Sequence, residues 1–338
     1  MTQPTVRPRG ALVDSFGRVA TDLRVSVTDR CNLRCSYCMP AEGLDWLPKP
    51  QLLTFEELTR LVRIAVGLGV TTVRLTGGEP LLRRGLPELV AQIAALDPRP
   101  RIAMTTNGLG LDRLAQPLAD AGLDRVNVSL DTIDREAFAR LTRRDRLDDV
   151  ITGLQAAADA GLTPVKVNAV AMRGFNDESV ADLLAWCLER GYELRFIEQM
   201  PLDAQHQWDR ASMVTQAEVL ERLAERFTLT PTGPTVRGSA PAETWLVDGG
   251  PARVGVIASV SKPFCGTCDR MRLTADGQLR NCLFARSESD LRGPLRSGAS
   301  DAELGAQMQR LMLAKKAGHG IDEPSFLQPQ RPMSAIGG

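Results

Sequence analysis

Histidine is almost absent. The 338 residues hold two, His206 and His319. Imidazole-rich metal sites and catalysis resting on a histidine base are therefore poor readings of this chain. An excess of either charge is also lacking, since 41 Lys and Arg stand against 41 Asp and Glu. A neutral balance argues against a broad nucleic-acid or membrane-surface face and makes any basic site a local one. No run of about 18 apolar residues occurs, so no membrane span is expected. Met1–Gly10 is polar, with no apolar stretch that could serve as a secretory signal, and a cytoplasmic location is expected.

The hydrophobic fraction of 43% is ordinary for a chain with a full core. At roughly 150 residues per domain, the length suggests about two domains. From residue 23 to 200 strands and helices alternate. The pattern predicts strands at Leu23–Thr28, Thr72–Thr76, Arg101–Thr106, Arg125–Leu130, Pro164–Val170 and Glu193–Glu198. Helices fall between them, the first capped by Thr54 with Glu57 at the capping-box position. Right-handed crossovers then give a parallel sheet.

Parallel strands buried on both faces read as continuous apolar runs. These do not. Arg24, Ser26 and Thr28 alternate with Leu23, Val25 and Val27. Arg74 and Thr76 share one face of their strand, as do Asn127, Ser129 and Asp131 on another, and Lys166 and Asn168 on a third. A closed eight-stranded barrel would fill its interior with branched apolar side chains. The economical reading is a curved, incomplete barrel whose concave face is a binding cavity, with a solvated sheet face as the alternative. After residue 200 the pattern changes to a helix at Gln216–Phe227, short antiparallel strands in 228–260, a hairpin at Leu273–Leu283 turning on Asp276-Gly277, and a helix at Asp301–Ala317 with Ser300 as N-cap. The divisions read are an N-terminal segment 1–22, a partial barrel 23–200, a C-terminal domain 201–318 and a tail 319–338.

Seven cysteines are present, and six of them form two groups, which in a chain expected in the cytosol points to metal rather than disulfides. Cys31, Cys35 and Cys38 share one loop just after the first strand. Three thiolates can hold three irons of a cubane and leave the fourth open to a small ligand. Structural zinc wants four ligands, usually in two pairs, so zinc or inert thiols are the weaker readings. Cys265, Cys268 and Cys282 are again one short of four. They read as a second cubane with an open iron, against a zinc site completed by another ligand. Cys187 sits between apolar neighbours on a helix and reads as core.

The first triad, the adjacent Tyr37, and Thr76-Gly77-Gly78-Glu79-Pro80 after the second strand resemble the radical S-adenosylmethionine superfamily. The resemblance implies a [4Fe–4S] cluster on Cys31, Cys35 and Cys38, with S-adenosylmethionine on its open iron. It further implies cofactor contacts from Tyr37, Gly78, Ser129 and Met200. It makes the fold an α/β incomplete (β/α)6 barrel of the radical SAM type, with a C-terminal α+β extension closing the barrel mouth. Pro263-Phe264-Cys265, Arg270 to Gly277, Cys282-Leu283-Phe284, Thr105-Thr106-Asn107-Gly108 and the terminal Ile336-Gly337-Gly338 narrow the resemblance to the GTP 3′,8-cyclase family of molybdenum-cofactor biosynthesis. Asp269 stands where that pattern has asparagine.

The resemblance implies that Cys265, Cys268 and Cys282 hold a second [4Fe–4S] cluster that takes the guanine. Arg24, Arg74, Thr105, Lys166, Arg270 and Arg272 would bind GTP. Arg270 and Arg272, with Gly337 and Gly338, would serve catalysis. The implied reaction is cyclisation of GTP to 3′,8-cyclo-7,8-dihydro-GTP. Its implied partners are GTP, an electron donor such as flavodoxin or ferredoxin, and a downstream cyclic pyranopterin synthase. No nucleic acid and no membrane are expected, and the oligomeric state is left open, with a homodimer among the options. Independently of the resemblance, a buried-sheet cation is costly unless paired, so the alternative for Arg24, Arg74 and Lys166 is internal pairing with acids such as Asp131 or Glu79. Taken alone, Gly-Gly at a terminus reads as a disordered end. A peptide-modifying radical enzyme and a non-enzymatic iron–sulfur protein are the rival functions.

Overall fold

The computed structural model describes residues 10–233 and 237–337. Six parallel strands form the centre of one sheet: β1 (Asp22–Ser26), β2 (Thr72–Thr76), β3 (Arg101–Thr106), β4 (Arg125–Ser129), β5 (Lys166–Ala171) and β6 (Glu193–Glu198). The crossovers carry α1 (Phe55–Gly67), α2 (Leu86–Ala94), α3 (Leu111–Asp120), α4 (Arg135–Thr142), α5 (Leu147–Asp159) and α6 (Val180–Glu189). Thr54 accepts from the Glu57 amide and Glu57 returns the bond, so the expected capping box starts α1. Such a cap is worth about 1 kcal/mol.

The sheet does not close on itself. β1 and β6 are not neighbours; each is flanked by strands from beyond residue 200. α7 (Gln216–Ala224) leads to β7 (Leu229–Pro231), β8 (Glu243–Val247) and β9 (Arg253–Ile257), of which β9 pairs parallel with β6. β10 (Arg270–Leu273) pairs parallel with β1, then turns back as β11 (Gln278–Arg280) and β12 (Ser289–Asp290). The order is β12-β11-β10-β1-β2-β3-β4-β5-β6-β9-β8-β7. The C-terminal third therefore extends both edges of the barrel sheet. α8 (Arg292–Arg296), α9 (Asp301–Leu313) and the one-turn α10 (Met333–Ile336) complete the chain.

The alternation of faces is physical. Leu23, Val25, Val73, Leu75, Ile102, Met104, Val126, Val128, Val167 and Phe196 are buried in one core beneath the helices. Each such side chain contributes about 1.5–3 kcal/mol by leaving water. A slip of one residue would turn every one of them to the other face, so the register is tightly fixed. The residues between them, from Arg24 to Arg195, line the concave face. Helix α4 is absent from the sequence reading. The last long helix ends at Leu313 rather than Ala317, and β11 ends at Arg280, short of Leu283.

Candidate active site

The first cysteine loop leaves the end of β1. Its backbone is held by α4: the Arg34 and Ser36 amides donate to the Thr142 and Leu141 carbonyls, each at 2.9 Å. It is also held by the turn after β2, where the Gly78 and Glu79 amides donate to the Thr28 and Arg30 carbonyls at 2.8 and 2.7 Å. A Cβ on Gly78 would stand 2.3 Å from the Arg30 carbonyl oxygen and 2.4 Å from that of Asp29. The glycine is required by the approach of the loop's own backbone. Behind it Glu79 is fully buried and accepts from Thr106 Oγ1 (2.7 Å), the Asn107 amide (2.6 Å) and the Leu81 amide (3.0 Å). Among the described residues Glu79 pairs with no cation; it joins the ends of β2 and β3.

Cys31, Cys35 and Cys38 are half-buried and free. Burial pushes all three thiols up, Cys38 to about 12. Thiolates here need a cationic partner of the kind an iron–sulfur core supplies. Among the described residues no three His, Cys, Asp or Glu side chains stand close enough to share one metal ion. The thiolates of a cubane bind different irons and stand farther apart than that. Tyr37 turns from the loop into the cavity, and its hydroxyl donates to Asp131 Oδ2 at 2.8 Å. Burial raises Asp131 to about 6, against hydrogen bonds from the Val170 amide and Tyr37. Ser129 and Met200 line the same region.

Cys265, Cys268 and Cys282 line the far part of that cavity, which encloses about 810 Å³. Buried Lys315 donates to Cys268 Sγ at 3.4 Å and to the Cys268 and Arg270 carbonyls. Burial would raise the Cys268 thiol, but Lys315 and Arg270 outweigh it and hold the thiol below its ordinary value. Arg18 ties the N-terminal segment to this loop through the Cys265 carbonyl at 2.6 Å. Asp269 accepts from Thr21 Oγ1 at 2.7 Å and so faces β1. Cys187 is fully buried in α6, away from both triads.

Between the triads the sheet register aligns cations. Arg24 pairs across with Arg74 on one side and Arg272 on the other. Neighbouring strands are about 4.8 Å apart, so three guanidinium-bearing residues stand in a row, an arrangement that repels itself. Arg24 Nε and Arg74 Nε and Nη1 are buried without a hydrogen-bond partner. Burial, reinforced by Arg24 and outlying arginines, holds Arg74 down near 9, and it pushes Arg24 and Arg272 down as well. Lys166, lowered to about 8 by burial, pairs with Glu193. Thr105 lies on the same cavity wall, and Arg270 stacks 4.9 Å from the Phe264 ring centroid. Asp131 and Glu79 are engaged elsewhere, so the internal pairing weighed for these cations does not occur through them. The cavity lining also holds arginines missing from the expected set, among them Arg125 and Arg195. Arg125 shares the face of Asn127 and Ser129, and Arg195, lowered to about 10 by burial, lies 4.0 Å from Glu193. Both were visible as period-2 members of strands already recognised.

The tail packs into this site. Arg331 forms two bonds to the Asp276 carboxylate at 2.9 and 3.0 Å. Ile336 is buried with Leu202 and Phe284. The Gly337 carbonyl accepts from Arg272 Nη1. A Cβ on Gly337 would stand 2.4 Å from Thr76 Oγ1, and its φ is +76°. Gly338 lies outside the described residues.

Residues 25–187 match the Radical SAM superfamily model, and residues 192–321 match the Molybdenum Cofactor Synthesis C model. One cysteine triad falls in each. A GTP 3′,8-cyclase of Streptomyces coelicolor is 64% identical over 97% of this chain and 96% of its own length. The chain belongs to the GTP 3′,8-cyclase family. Another member, from Mycobacterium sp. strain KMS, is 63% identical over 97% of this chain and 94% of its own length. Among solved structures, Streptococcus suis SuiB bound to S-adenosylmethionine aligns with a TM-score of 0.60 at 16% identity. The alignment covers 82% of this chain and 64% of SuiB, and it shows the shared radical SAM fold. No helix among the described residues is long and apolar enough to cross a membrane.

Proposed function

We propose that this chain converts GTP to 3′,8-cyclo-7,8-dihydro-GTP by radical S-adenosylmethionine chemistry, the first step of molybdenum-cofactor biosynthesis. The observation that carries the reading is one cavity lined by Tyr37 of the first cysteine loop, by a row of arginines without a salt bridge among the described residues, and by all three cysteines of the second triad. Cys31, Cys35 and Cys38 would hold the first [4Fe–4S] cluster, and Cys265, Cys268 and Cys282 the second. S-adenosylmethionine, seated on that first cluster, would supply the radical chemistry for hydrogen abstraction from C3′ of the ribose.

The chain's own residues bind, orient and exclude water. Tyr37, Gly78, Ser129 and Met200 would seat the cofactor. Arg24, Arg74, Lys166 and Thr105, with Arg125 and Arg195, would take the triphosphate, whose charge relieves their repulsion. Fixing both ends of the nucleotide would set C3′ against the cofactor and C8 against C3′, and that positioning is the protein's contribution to the rate. Arg270 and Arg272 would steady the guanine end. The Gly337 carbonyl orients Arg272, and the tail, with Gly338, would help organise turnover. A flavodoxin or ferredoxin would supply electrons, a cyclic pyranopterin synthase would consume the product, and the reaction would take place in the cytoplasm.

The test is anaerobic. The clusters are reconstituted, then S-adenosylmethionine, GTP and a strong reductant are added, and 5′-deoxyadenosine and a GTP isomer are quantified. Both products rising in step establish the cyclase. Deoxyadenosine without a GTP isomer would sink GTP as substrate. In the Cys265→Ala/Cys268→Ala/Cys282→Ala variant, iron should fall from about eight to about four per chain; unchanged iron would sink the second cluster.

A further inference from the structure

Arg143 caps α4 with φ +55° and ψ +28°, a left-handed conformation. For an arginine this is a strained conformation, one that glycine adopts freely. Nothing within α4 requires an arginine, and Arg143 makes no salt bridge among the described residues. The left-handed turn instead carries its side chain back over the first cysteine loop. Nη1 donates to the Arg34 carbonyl at 3.1 Å and to the Met39 carbonyl at 3.0 Å. Arg34 immediately precedes Cys35, and Met39 immediately follows Cys38, so one nitrogen ties the two ends of the Cys35–Cys38 segment. Arg34 does the same for the other half, with Nη1 at 2.8 Å from both the Cys31 and Leu33 carbonyls.

The electrostatics point the same way. The loop is bonded to the C-terminal carbonyls of α4, the negative end of that helix. A negative helix end beside a cluster opposes the arrival of an electron. The Arg143 guanidinium, held at that end, offsets it. Among the described residues no carboxylate pairs with this charge, since Asp145 and Asp148 pair with Arg135, and Asp149 with Arg146.

We propose that Arg143 is a positioning residue of the first cluster: its guanidinium clamps the Cys35–Cys38 segment and sets both the retention of the cluster and the ease of its reduction. This rests on the reading of Cys31, Cys35 and Cys38 as cluster ligands. From this left-handed backbone the side chain reaches both carbonyls.

The decisive variant is Arg143→Gly. Glycine takes φ +55° without strain, so the guanidinium is removed without harm to the backbone. The metal-free variant should unfold at the wild-type temperature or above it. After anaerobic reconstitution it should lose iron to a chelator about 10-fold faster than wild type, the usual scale for removing an outer support of a metal site. The cluster signal that responds to added S-adenosylmethionine, followed by electron paramagnetic resonance through a redox titration, should move to a more negative midpoint. Arg143→Lys, which keeps the charge, should restore most of that midpoint. Wild-type iron retention and midpoint in Arg143→Gly would overturn the proposal. A wild-type protein showing no signal that responds to S-adenosylmethionine would instead overturn the cluster reading beneath it.

Discussion

Glu79 gives the most quantitative test of the site's architecture. Burial raises its carboxyl from 4.5 to about 7, against hydrogen bonds from the Asn107 amide, Thr106 and the Leu81 amide. Folding therefore retains a proton that the unfolded chain releases. The stability this lends is fully present below the unfolded pKa and is lost as pH rises through about 7. Between pH 6 and pH 8 the wild type should lose about 1.3 kcal/mol relative to a chain with nothing to titrate at this position. Glu79→Gln is that chain. It keeps the shape, but the Leu81 amide donates to Oε1 and the Asn107 amide to Oε2, so its NH2 must face one of the two amides. That mismatch adds an offset independent of pH. For a chain of this length about 0.7 kcal/mol corresponds to 1 °C. The melting temperature of Glu79→Gln minus that of wild type should thus grow by about 2 °C from pH 6 to pH 8. Asp131 titrates in the same range but cancels in the difference. A difference that stays constant across this window would show that Glu79 is ionised throughout and would refute the account of the bracket between β2 and β3.

Arg74→Ala removes one of the row of cations. It should weaken GTP binding about 10- to 150-fold, the worth of one charged hydrogen bond, with cofactor cleavage in the absence of GTP unchanged; calorimetry with GTP alone decides it. Gly78→Ala places a Cβ against two backbone carbonyls that cannot swing away. A cost of about 1–3 kcal/mol is expected, read as a lower melting temperature together with faster iron loss, and a wild-type cluster content would contradict it. Gly337→Ala combines a left-handed φ with a clash against Thr76. The tail should leave its seat beside Arg272, read as faster limited proteolysis after residue 318 with little change in global melting; an equally protected tail would refute the contact.

The parts of this molecule that were legible in the sequence are those set by local geometry. Each cysteine loop carries its own chemistry in its spacing. The strand faces follow from a period of two, which is why Arg24, Arg74 and Lys166 could be placed on one wall without coordinates. Arg125 and Arg195 obey the same parity and needed only the same rule applied to the first residues of β4 and to β6. Helix α4 escaped because eight residues give barely two turns of periodicity, although Asp134 caps it through the Ala137 amide. The pairing of β10 with β1 was not legible at all. The Asp276-Gly277 turn signals a local hairpin, and nothing within that hairpin says that its first strand will lie parallel to one some 250 residues earlier.

That non-local pairing is what completes the site. Without it Arg272 would sit on a peripheral hairpin; with it, Arg272, Arg24 and Arg74 form one row. A sheet does not set three arginines abreast for stability, since their mutual repulsion and desolvation both oppose folding. Of the acids on this wall, Asp22 eases Arg24 and Arg74 without forming a salt bridge among the described residues, and the others are already engaged. Asp131 holds Tyr37 and the Val170 amide, Glu193 holds Lys166, and Asp269 holds Thr21. Each of these bonds fixes a wall of the cavity while leaving the arginines unneutralised. The fold thus leaves its uncompensated charge between the two cysteine triads, and an anion with several negative charges is the ligand that removes the cost. If that reasoning holds, a triphosphate should raise the melting temperature of the cluster-loaded protein more than a monophosphate of the same nucleoside at equal concentration. Equal shifts would mean that the row of arginines does not read the phosphates.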